Sequence, residues 1–284
     1  IDQSSESAKF ISTGFIWLDL AISIALISIQ AVYLNIIVNE YKLLDNNSHL
    51  ASLMFVLLNS AFLLLFSLNQ VVIANTFILL GIHQLLRIYD SKGSFALSFN
   101  AGFLISIATT IYFPNAIFLL LFWVGIIYMI TPKWRDFAIT LIGFSVPIIY
   151  VVSYSFVFDN LNVLELNSSQ TSVYNMNWSI LGSIDKALFF IILGILILAL
   201  LSVISNMSKG VLRTRKMLVV IILMGLFGLG TIILNKADYL ATFVVLTIPL
   251  SILIANFFQG IKKQWLAELL FLCLLTVIVV NYFS

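Results

Sequence analysis

"NAIFLLLFWVGIIYMITPKWRDFAITLIGFSVPIIYVVSYSFVF", residues 115–158, decides the fold class. Two apolar runs, 115–130 and 137–158, flank one short polar turn, "TPKWRDF" at 131–137. A helix needs about 20 apolar residues to cross a hydrocarbon core of about 30 Å. Strands of a membrane barrel would instead alternate apolar and polar over segments of about ten residues. The runs here are continuous, so they predict membrane helices. In the turn, Trp134 and Arg135 fit the headgroup level, where an indole and a cation anchor a helix end.

The same pattern repeats along the whole chain. Ten apolar segments emerge, at about 14–38, 50–68, 71–88, 97–112, 115–130, 137–158, 187–205, 218–234, 240–258 and 266–283. The third to fifth are the weakest, with only Asn69-Gln70 and Phe113-Pro114 as breaks around them. Pro114 suits the first turn of a helix, where its missing N–H costs nothing. Pro147 and Pro249 fall inside apolar runs and predict kinked or discontinuous helices. The expectation is an all-α, polytopic transmembrane bundle of about ten spans, forming one domain over 1–284.

Composition agrees. The 284 residues are 62% hydrophobic and 9% charged, with mean hydropathy +1.13. Soluble domains carry roughly 25% charged residues, so the lipid bilayer is the expected solvent. The net charge of +2 is too small and dispersed to point to nucleic acid. The one cysteine, Cys273, permits no disulfide within the chain.

Basic residues orient the bundle. Eleven of the fourteen Lys and Arg fall in alternate connections, which predicts those connections to be cytoplasmic and both ends of this chain to face outward. The strongest cluster is the loop 206–217, "NMSKGVLRTRKM", with Lys209, Arg213, Arg215 and Lys216. These four are candidates for a lipid headgroup or an acidic partner. The long polar connection 159–186 is expected outside, as a cap over any outward-facing site. The chain starts at Ile1 rather than Met, which suggests a preceding segment.

Polar groups close to apolar runs are the pointers to chemistry. In "GIHQLLRIYDSKG", 81–93, His83 and Arg87 are four apart and share a helical face. With Gln84 they are candidates to line a polar groove. Arg87, Asp90 and Lys92 also read simply as the inner end of a helix, closed by Gly93. Asp19, Asp2 and Glu6 are the candidate catalytic carboxylates, near the outward end of the first segment. No metal site and no cofactor is expected: His83 and His49 are the only histidines. Ala21/Ala25, Gly102/Ser106 and "GLFGLG" at 225–230 read as close-packing faces between helices.

A resemblance adds to this. An Asn ahead of the Leu-rich segment ending at Arg87, then "FNAGFLISIATTIYF" at 99–113, then Trp134-Arg135-Asp136, resembles a family of uncharacterised multi-pass membrane proteins of Bacteroidota, over residues 40–150. The resemblance implies a bacterial cytoplasmic (inner) membrane and no established activity. The many helices and short middle spans are also faintly similar to membrane glycosyltransferases that use polyprenyl-phosphate sugars. That likeness implies an acid on an outward loop, where Asp2 and Glu6 would stand, and a polyprenyl-phosphate lipid as partner. No paired acidic motif or large soluble domain accompanies it. Three functions follow as expectations: a non-enzymatic subunit or scaffold among other membrane-protein subunits of an envelope complex, an outward-active glycosyltransferase, or a lipid or solute transporter.

Overall fold

The structure, a computed structural model, describes residues 16–44, 48–61, 69–91, 95–158, 183–206, 211–234, 239–261 and 264–283. Among the described residues there are ten α-helices and no strand. They are α1 Ile16–Glu40, α2 Leu50–Ser60, α3 Gln70–Asp90, α4 Phe95–Ile111, α5 Phe118–Met129, α6 Trp134–Val157, α7 Ser183–Asn206, α8 Leu212–Leu234, α9 Tyr239–Gly260 and α10 Gln264–Phe283. Each of the ten apolar segments becomes one helix.

Four stretches are long and apolar enough to cross a membrane: Trp17–Glu40, Gln70–Asp90, Trp134–Val157 and Phe243–Gly260. The chain is therefore a helical membrane protein. The third segment, weak in sequence, is among the four. The fourth and fifth are shorter helices, and Phe113–Ile117 between them forms a 3-10 turn with Pro114 in its first residues. Asn115 ties this turn to α4 by donating from Nδ2 to the Ala108 carbonyl at 3.3 Å. Both α6 and α9 run through their prolines without a break, so the discontinuous helices expected at Pro147 and Pro249 do not form.

The chain divides into two compact units. One contains α3 to α6, with the chain from Leu223 to Val245. Its core is aliphatic and aromatic: Ile78, Leu85, Ile105, Phe118, Phe122 and Ile126 are fully enclosed. The tightest packing in it is between α4 and α6. A methyl group on Gly102 would collide with the Thr140 carbonyl oxygen, and one on Gly143 with the Phe99 carbonyl oxygen. Small residues allow this approach, as in membrane helix pairs generally. The buried face of α6 is correspondingly small or polar: Asp136, Thr140, Gly143, Pro147 and Ser155. Gly81 and Gly125 serve α3 and α5 in the same way. A methyl at Gly81 would lie 3.2 Å from both Ile105 Cδ1 and Phe122 Cζ, and one at Gly125 would lie 2.9 Å from Leu85 Cδ2. Gly230, from the 225–230 stretch, faces Ile117 of the 3-10 turn.

The other unit contains α1, α2, α7 and α10, with the parts of α8 and α9 up to Ile222 and from Leu246. Here α7 packs on α10, and buries Ile192, Ile195, Ala199 and Val203 at three- and four-residue spacing. Helix α1 buries Ile27, Ala31, Leu34, Ile37 and Val38, and leaves Ala21 and Ala25 exposed.

α1 ends in a Schellman motif. The Leu43 N–H donates to the Val38 carbonyl at 3.0 Å and the Lys42 N–H to the Asn39 carbonyl at 3.3 Å. That geometry needs a left-handed residue after the helix, and Lys42 supplies it with φ of 50°. Glycine adopts this conformation freely; a lysine there carries backbone strain.

Candidate functional site

Three of the four candidate basic residues lie at the start of α8, in the unit of α1. The apolar pattern places the start of α8 near residue 218, but the helix begins at Leu212. Leu, Arg, Lys and Met are all good helix formers, so the turn that carries the charges winds up with the apolar part. Arg213, Arg215 and Lys216 thereby sit within its first two turns, half-buried, and no acidic residue accompanies them in the first turn. Lys209 lies outside the described residues.

Two residues that sequence reading passed over fix this end of the unit. The guanidinium of Arg213 lies over the Tyr41 ring, 5.6 Å from its centroid. Tyr41 is the residue next to the strained Lys42, and it is fully buried. Asn256, near the end of α9, donates from Nδ2 to the Leu43 carbonyl at 3.1 Å. The connection after α1 is thus held from α8 on one side and α9 on the other. A further hydrogen bond, 3.0 Å between Asn35 Nδ2 and His49 Nδ1, joins α1 to the residue before α2. Lys42 and Glu40 are exposed beside Tyr41.

The other sequence candidates do not join this cluster. His83 and Gln84 are half-buried on α3 in the first unit, and Arg87 is exposed one turn further on. Gln84 Oε1 is shielded from solvent and has no hydrogen-bond partner among the described residues. Asp19 is half-buried in the first turn of α1, where a carboxylate suits the helix dipole. Asp2 and Glu6 lie outside the described residues, as does 159–182 of the long polar connection. Among the described residues no three His, Cys, Asp or Glu side chains gather as metal ligands.

One acid that sequence reading assigned to a turn is buried. Asp136, in the first turn of α6, is almost fully enclosed. Its Oδ2 accepts from the Lys133 N–H at 2.8 Å, while the Asp136 N–H donates to the Lys133 carbonyl at 2.9 Å. The carboxylate thus caps the helix it belongs to. Its neighbours Trp134 and Arg135 remain exposed, as headgroup anchors do.

The geometry supplies a structured cationic surface at one end of a helical membrane unit, and a chain of small residues that lets helices meet closely. No curated protein and no solved structure matches the chain. The family model that does match covers residues 11–284, and on it the chain belongs to a family of unknown function, DUF6427.

Proposed function

We propose that the protein is a non-enzymatic subunit or scaffold of a cell-envelope complex in a bacterial cytoplasmic membrane. One observation carries this reading. On α1, Ala21, Ala25 and Ser28 are exposed at spacings of four and three, which puts them on one face. Lipid does not need small residues opposite it; a second helix does, because they let the backbones approach. Helix α1 is also only 44% buried over its apolar window, which leaves one face exposed among the described residues. The alternation of basic loops and the resemblance to inner-membrane proteins support the location.

Gentle detergent extraction of the native protein, with mass spectrometry of what comes with it, tests the proposal. A stoichiometric membrane-protein partner is expected, and Ala25→Leu should release it. A lone monomer, unchanged by Ala25→Leu, would sink the subunit reading.

A further inference from the structure

We propose that the unit of α3 to α6 holds a site for a monovalent alkali cation, formed by the side-chain oxygens of Asn75 and Asn115 together with the Val245 carbonyl. All three residues belong to that unit.

Two carboxamides there are enclosed and only half used. Asn75 and Asn115 are both fully buried. Asn75 donates from Nδ2 to the Val244 carbonyl at 3.1 Å, and Asn115 from Nδ2 to the Ala108 carbonyl at 3.3 Å. Only the amide nitrogen can donate to a carbonyl, so these bonds fix which way each side chain is turned. Turning either over would set oxygen against oxygen. In both, Oδ1 is left shielded from solvent with no hydrogen-bond partner among the described residues. A buried acceptor without a donor is costly, and most of the interior avoids it.

The two stand at one level of the unit. Helices α3 and α4 form an antiparallel hairpin, and a methyl at Gly81 would lie 3.2 Å from Ile105 Cδ1. Counting along both helices from that contact, Asn75 stands level with Ile111. Asn115 is held against Ala108, within one turn of the same level. Helix α9 supplies the third oxygen beside Asn75. Its Pro249 has no N–H to give the Val245 carbonyl, the neighbour of the carbonyl that Asn75 already bonds. A carbonyl freed by proline inside a membrane helix needs another partner.

The donor set selects the ligand. Three acceptors exceed the two hydrogens of a single water, whereas a cation takes lone pairs from all of them. None of the three oxygens carries a charge. Calcium and magnesium draw on carboxylates, so a neutral set favours a monovalent ion. Freed helix carbonyls coordinate sodium in this way in membrane transporters. The level also allows entry: Asn75 and Val245 are each less than about 10 Å along their helices from the first residue.

The test uses the full chain in a neutral detergent, unfolded thermally in sodium, potassium or choline chloride at equal ionic strength. The wild-type midpoint should rise by at least about 3 °C in one of the two alkali salts relative to choline, as binding to the folded state alone requires. N75A and N115A should each lose most of that rise, whatever their midpoint in choline. N59A removes another buried carboxamide, one bonded to the Phe55 carbonyl within its own helix, and should keep it. A rise that survives in both N75A and N115A would put the ion elsewhere and overturn the site. If the variants do not fold, the wild-type protein still decides: equal midpoints in all three salts defeat the proposal and leave water as the occupant.

Discussion

Gly102 and Gly143 face one another's helices reciprocally: each directs a Cα–H toward the carbonyl of the residue three positions before the other, Thr140 in one case and Phe99 in the other. Paired Cα–H contacts of this kind recur at close helix crossings. They hold only while both positions lack a side chain.

Gly102→Ala and Gly143→Ala should each destabilise the protein by about 2–3 kcal/mol, the scale of forced overpacking, since backbone and not a flexible side chain stands in the way. Gly194→Ala is the matched comparison. It lies inside α7 with nothing within 4 Å of the added methyl, so it should stabilise by up to about 1 kcal/mol. Unfolding in mixed detergent micelles reads both. A neutral Gly102→Ala would mean that α4 and α6 are not in backbone contact.

Asp136→Ala removes the acceptor for the Lys133 N–H. The loss should be about 1–2 kcal/mol, as for other helix caps. Asp136→Asn keeps an acceptor oxygen and should lose less than half of that. Thermal unfolding of the two variants side by side separates capping from mere burial.

Tyr41 and Arg213 should be coupled. A double-mutant cycle with Tyr41→Leu and Arg213→Gln should give about 0.5–1 kcal/mol, the range for a cation over an aromatic face. Additive effects would show that the ring does not hold the guanidinium.

The alternation of basic connections makes a topological prediction. In intact cells, a cysteine placed at Ser91 should resist membrane-impermeant thiol reagents, and one at Phe113 should react, in a background lacking Cys273. Both positions are exposed. The reverse pattern would invert the bundle.

Much of the architecture was legible in the sequence, because a membrane helix announces itself by one-dimensional composition. All ten apolar segments became helices, and Trp134 emerged at the surface as an anchor should. The site was less legible. The apolar pattern places the start of α8 about six residues late, because charge reads as loop although long cationic side chains are good helix formers. Gly102 was identifiable as a packing residue, but its counterpart Gly143 was not, because pairing depends on which faces two separate helices turn to each other. Tyr41, an aromatic at a helix end, gave no sign that Arg213 would stack on it across more than 170 positions of chain. Asp136 read as a water-facing turn residue, and its burial follows from the cap it makes. At the two prolines only the expected break is overturned, since both helices continue through them.

The left-handed lysine after α1 has a backbone cost that a glycine would lift. A screen for heat tolerance should enrich glycine at position 42, because relaxing that backbone costs nothing in packing. A screen for growth should reject the same replacement if the ammonium, rather than the backbone, is what this position supplies. Opposite outcomes from the two selections would mark Lys42 as a residue kept for what it touches outside the protein.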